Sequence, residues 1–184
     1  MRQILSGNAQ TERYQNRHPD READVNMRSQ MKKRDGLWIA GAVLLLDRLT
    51  KAWAAGLPAE GLLLIPGVVR LRLTLNDGAA FSLLGGNPRL LGLVSLAVIA
   101  AAVFFLRRKR FSAPATVGLM MMLGGALGNL VDRLGAGPVP DWIELLFVRF
   151  AVFNAADACL TVGCALVMGC LLFGKEGPDG RKTD

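Results

Sequence analysis

Four apolar runs divide this chain, at 36–56, 90–106, 115–134 and 151–173, each 17 to 23 residues long with few charges. A helix rises about 1.5 Å per residue, so each run suits a hydrocarbon core of about 30 Å. The pattern changes between the first two runs. There VVRLRLTL (68–75) alternates apolar side chains with basic or polar ones, which is the period of a strand. The NDG that follows at 76–78 supplies a turn. These periods predict a mainly α membrane protein with four transmembrane helices. A small extracytoplasmic β-sheet over 62–84 is expected between the first and second. Strict alternation puts Arg70 and Arg72 on one face of that sheet, near lipid phosphates. Residues 1–35 keep no period and read as a disordered polar cytoplasmic tail. A transmembrane domain then covers 36–174, and 175–184 form a second cytoplasmic tail.

Composition sharpens the picture. AVILMFWYC make up 52% of the 184 residues, too much for an ordinary soluble domain of this size. The net charge of +7 is unevenly placed, with +3 in the first 35 residues and +4 in RRKR at 107–110. Nucleic-acid binders lay their charge along a groove or face. Here it flanks apolar runs instead, so nucleic acid is not expected as a partner. Positive charge also precedes the first run and follows the fourth, which places both termini in the cytoplasm. Segments 57–89 and 135–150 then face the outside. Cys159, Cys164 and Cys170 all lie in the fourth run and read as reduced apolar side chains. With His18 as the only histidine and no metal-ligand cluster, neither His catalysis nor a metal is expected.

Polar residues inside a membrane span are costly and mark a function or a compensated structure. The first run holds Asp47 and Lys51, four apart on one helix face and suited to an ion pair. Asn129, Asp132 and Arg133 close the third run. The fourth opens with Asn154 and Asp157, at i and i+3. By the topology above, these last two clusters share the outer end of the membrane. Between them lie Asp141 and Glu144. Asp141 precedes WIELLF (142–147), an apolar patch expected to dip into the interface, so Asp141 and Asp157 should meet at one depth. Two facing carboxylates cannot both ionise cheaply, and the pair shares a proton. Such a pair activates water for hydrolysis. It also serves a small proton-coupled transporter, and the residue chemistry alone supports the two equally. Transport would spread polar groups through the depth of several helices. Instead the second run holds only Ser95. A non-catalytic scaffold would need no such pair.

Five motifs occur in order: DRLTK (47–51), NDGAAFS (76–82), GNLVDR (128–133), VPDW (139–142) and FNAAD (153–157). The set resembles signal peptidase II, the bacterial lipoprotein signal peptidase. The resemblance implies an aspartic endopeptidase of the bacterial inner membrane. Its substrates would be diacylglyceryl-modified prolipoproteins, cut just before the lipidated cysteine at the outer face. It places the catalytic aspartates at Asp141 and Asp157. Asn76, Gly78, Asn129, Asp132, Arg133 and Asn154 match supporting or substrate-binding positions, and Asp47 and Lys51 match a structural pair. The resemblance also implies membrane lipids as surroundings, globomycin-type inhibitors, a monomer, and no cofactor. This chain departs from the family pattern at Asp77, Arg48 and Trp142, and Pro138 and Pro140 stand just before the first aspartate.

Overall fold

A computed structural model describes residues 33–77, 88–108, 111–135 and 137–173. The expected tails at 1–32 and 175–184, the last seven residues of the predicted sheet (78–84, with Gly78), and residues 109–110 of RRKR lie outside the described residues.

Four helices and three strands follow in the order α1 (Lys33–Ala54), β1 (Leu62–Ile65), β2 (Val69–Asn76), α2 (Pro88–Arg108), α3 (Ala113–Gly135), β3 (Val139–Leu145) and α4 (Ala155–Phe173). The helices fall on the four apolar runs. The first begins inside the segment read as tail. It ends at Ala54, where Gly56 and Leu57 close turn bonds back to Trp53 and Ala54. The fourth starts at Ala155 and not at residue 151, because 151–154 runs extended. Phe153 there exchanges backbone hydrogen bonds with Ile143.

The sheet differs more from expectation. It is antiparallel in the order β1-β2-β3, so it is not confined to the segment between the first two helices. Its third strand is VPDWIEL, from the stretch read as a dipping apolar patch. Pro140 is accommodated because β3 is an edge strand, where a missing N–H costs no ladder bond.

Register explains how β2 serves the site. Leu71 pairs with Ile143 and Thr74 with Asp141, so Arg72 and Leu73 together oppose Trp142. One extra residue in β2 makes a bulge, which re-aims the side chains beyond it. Unbroken alternation would put Asn76 on the face of Arg70. The bulge moves Thr74 and Asn76 to the face of Asp141 instead.

Helix α3 is the centre of the bundle and packs on all three other helices. Its glycines make this possible. A Cβ at Gly118 would stand 2.7 Å from the Gly163 carbonyl oxygen of α4, and one at Gly124 would stand 2.6 Å from that of Ala40 in α1. Small residues let helix backbones approach where lipid supplies no hydrophobic drive between helices. The buried apolar core is Ala40, Ala102, Leu106, Phe111, Ala115, Leu119, Met120 and Leu123. Outward faces stay apolar, with Leu45, Leu49, Leu93, Phe104, Leu171 and Phe173 all exposed. Apolar surface on this scale marks a membrane or partner face. Among the described residues, α3 and α4 are long and apolar enough to cross a membrane.

Candidate active site

One end of the bundle gathers the polar residues. The last turns of α1 bring Asp47, Arg48 and Lys51, and the end of α3 brings Asn129, Asp132 and Arg133. β2 contributes Asn76, β3 Asp141, and the start of α4 Asn154 and Asp157. Of these, Asp47, Lys51, Asn129, Asp141 and Asn154 are buried.

The start of α4 is set by a reciprocal cap. Asn154 Oδ1 accepts the Asp157 N–H at 3.0 Å, and Asp157 Oδ2 accepts the Asn154 N–H at 3.2 Å. Asn154 is thus the N-cap and Asp157 the third helical residue, the arrangement of a capping box. The helix dipole there favours a negative side chain. Because Trp142 and Ile143 both donate to the Phe153 carbonyl, Asn154 is also pinned against β3.

The amide side chains then have fixed polarity. Asn154 uses its oxygen on the Asp157 N–H, so its nitrogen faces Asp141 and donates to Oδ1 at 2.6 Å. Asn76 donates to the other oxygen of Asp141 at 2.8 Å. Asn129 accepts from Lys51 Nζ at 3.1 Å and donates to Asp157 Oδ1 at 2.7 Å. It also accepts from Asn154 at 3.2 Å, closing the network. Every carboxylate oxygen of Asp141 and Asp157 therefore accepts one N–H, and Asn154 touches both acids.

The two acids differ in surroundings. Asp141 is 1% exposed, and burial pushes its carboxyl up to about 6. The nearby Asp157 charge pushes the same way, against the donors Asn76 and Asn154. Asp157 is partly open to the surface and sits on the positive end of a helix. A buried carboxyl that keeps its proton up to about pH 6, beside an anchored and more accessible acid, is equipped for acid–base work.

The remaining expected residues fall as follows. The Asp47–Lys51 pair is present at 2.9 Å, but it belongs to a larger cluster with Arg48 and Asp132. Arg133, on the neighbouring position to Asp132, donates to Ser95 Oγ of α2 at 2.9 Å. Arg70 and Arg72 share a face, but they do not point freely at lipid. Both pair with Glu144, at 2.8 and 3.3 Å, and this holds the Glu144 carboxyl below its ordinary value. Arg48 carried no assigned role in the sequence, since nothing in its spacing signals a reach to α3. Among the described residues, no three His, Cys, Asp or Glu are grouped to hold a metal ion.

Residues 39–173 match the family of signal peptidase (SPase) II. The lipoprotein signal peptidase of Gloeobacter violaceus is 38% identical over 153 residues, covering 81% of this chain and 86% of that protein. That of Thermosynechococcus vestitus is 39% identical over 150 residues, covering 77% and 90%. A solved bacterial membrane enzyme superposes with a TM-score of 0.71 at 27% identity, over 79% of this chain and 97% of its own. A second one gives 0.70 at 28%, over 78% and 91%.

Proposed function

The chain belongs to the signal peptidase II family and is a membrane peptidase; from that membership we propose that it removes the signal peptide from diacylglyceryl-modified prolipoproteins, with Asp141 and Asp157 as its catalytic pair. The observation that carries the residue assignment is Asn154, which bonds Asp141 and caps Asp157 at once. Asp47 and Asp132, by contrast, are joined through the cations Arg48 and Lys51.

In this reading Asp157 is the general base and Asp141 the acid. Asp157 takes a proton from a water molecule, and the water oxygen attacks the carbonyl carbon before the lipidated cysteine. Asp141 gives its proton to the carbonyl oxygen, forming a neutral gem-diol. The proton on Asp157 then passes to the leaving nitrogen. The C–N bond breaks, and the proton of one hydroxyl returns to Asp141. Net consumption is one water per peptide bond. Protonation of the pair, and not of either acid alone, sets the pH profile.

All four helices span the bacterial inner membrane, with both termini cytoplasmic and the acids at the outer face. Arg107 and Arg108 at the end of α2, with the basic residues flanking the first and last runs, support that orientation. A lipid-anchored substrate reaches such a site by lateral diffusion. Asn129, Asp132, Arg133, Asn76 and Gly78 support the site or contact substrate. Globomycin-type cyclic peptides would compete for it, and the enzyme acts as a monomer.

The test compares purified protein on one prolipoprotein with and without its diacylglyceryl group. Cleavage of the modified form alone, just before the cysteine, is expected. Equal cleavage of both would remove the lipid from the specificity. A folded protein that cuts neither but moves protons in liposomes would favour the transporter.

A further inference from the structure

Beside the two acids lies a charge cluster that the hydrolytic steps do not use. Arg48 bonds Asp47 Oδ2 at 2.8 Å and Asp132 Oδ1 at 2.6 Å. Lys51 bonds the same two acids, Asp47 Oδ2 at 2.9 Å and Asp132 Oδ2 at 2.6 Å. Two acids and two bases cancel. Arg48 also donates to the Gly128 carbonyl at 3.1 Å, tying α1 to α3.

The cluster touches the site at two places. Lys51 has three N–H donors. Two serve the carboxylates, and the third goes to Asn129 Oδ1 at 3.1 Å. With its oxygen so engaged, Asn129 must turn its nitrogen to Asp157. In addition, Asp47 Oδ1 accepts the Ala156 N–H at 3.3 Å, inside the first turn of α4. Asp157 is held from both sides by groups the cluster orients.

Removing Arg48 would leave Lys51 alone between two carboxylates, with one uncompensated negative charge next to the acids. Buried unpaired charge is expensive, and a carboxyl takes up a proton to escape it. Lys51 would then no longer be held in the geometry that presents Nζ to Asn129. We propose that Arg48 is a positioning residue of the catalytic centre: it completes a neutral quartet with Asp47, Lys51 and Asp132 that fixes Asn129 toward Asp157 and keeps excess negative charge off the two acids. This rests on the assignment of Asp141 and Asp157 above.

The sign of the effect follows from the charges around Asp157. Asp141 acts on it from β3 and Arg133 from α3. On α1, Lys51 reaches it through Asn129 and Asp47 through the adjacent Ala156 N–H, and Arg48 and Asp132 complete the charge set behind these two. Loss of one cation makes this set more negative. A more negative surrounding holds protons more tightly, so the acid limb of the cleavage profile moves to higher pH.

The experiment measures kcat, KM and the pH profile of prolipoprotein cleavage for wild type, Arg48→Gln, Arg48→Lys and Arg48→Gln/Asp132→Asn. Arg48→Gln is expected to lower kcat about tenfold with KM within about twofold, since misorientation acts on the chemical step. Its acid limb should rise by about half a pH unit. Arg48→Lys should recover most of kcat. The double variant, neutral again, should return the limb to its wild-type position even where kcat stays low. An unmoved acid limb in Arg48→Gln, with only thermal stability reduced, would overturn the proposal. If Arg48→Gln does not fold, Arg48→Lys and the double variant decide: a limb displaced in the double variant overturns it. Failure of wild type to cleave would instead count against the function, not against Arg48.

Discussion

Helices α3 and α4 touch along their length, Gly125 against Ala156 included, and two of their contacts use opposite chemistry. At one end Gly118 and Gly163 bring backbones so close that a Cβ on either would stand 2.6–2.7 Å from the other's carbonyl oxygen. At the other end Asn129 reaches Asp157 through a 2.7 Å hydrogen bond. The glycine end is specified by shape and carries no Asp, Glu, Lys or Arg among its described residues. The amide end is specified by donors and acceptors, in a place where each buried polar atom is costly unless paired. Each depends on the other. Glycine contact fixes the distance between the helices to within what a hydrogen bond tolerates. The polar end then selects one rotation and one register. A membrane peptidase needs both, because lipid exerts no hydrophobic drive that would hold a loosely packed site together.

The comparison is broken most completely from the glycine end. Gly163→Leu should abolish the folded state, or cost at least about 3 kcal/mol, because the new side chain meets backbone that cannot yield. Thermal unfolding in detergent checks this, and a melting temperature near wild type would show that the close approach is dispensable. At the polar end, Asn154→Ala removes both a cap and a donor to Asp141. About 1 kcal/mol of stability should go with the cap. Cleavage should fall further, by about a hundredfold, because both acids lose their common anchor. Equal losses in stability and rate would make Asn154 a cap and nothing more.

Next in size is a pH effect specific to Asp141. Its carboxyl lies at about 6 in the folded protein against an ordinary 3.8. A folded state that binds the proton more tightly gains stability at low pH. That gain is complete below about 4 and is lost as pH rises through about 6. Wild type should therefore lose stability relative to Asp141→Asn between pH 4.5 and 7, as read by melting temperature. A constant difference across that range would remove the burial argument. The smallest effect belongs to the ion pairs of the sheet. Glu144→Gln breaks ion pairs with Arg70 and Arg72 that are about a third exposed. It should cost less than about 1 kcal/mol and leave cleavage within about twofold.

Much of this was legible in the sequence because its signals are local. Apolar runs marked the helices, and alternation marked β2. The spacing of Asn154 and Asp157 put both on one face, although their reciprocal cap is a backbone matter that i, i+3 spacing only permits. β3 escaped because WIELLF reads as an apolar patch at the interface, and only an edge position makes Pro140 admissible in a strand. The β2 bulge escaped for a better reason. VRLRLTLN alternates without a flaw, and the extra residue becomes visible only against its partner strand. Arg48 escaped too. Its partners on α3 lie 80 or more positions away, and a long flexible side chain leaves no period.

The most direct measurement follows cleavage of a diacylglyceryl-modified prolipoprotein in liposomes by wild type, Asp141→Asn and Asp157→Asn, each with and without EDTA. Asparagine keeps the shape and removes the exchangeable proton. The account predicts wild-type cleavage that EDTA does not touch, and a loss of at least about a thousandfold in each folded variant. Substantial activity in either variant would contradict the pair and turn attention to Asp132.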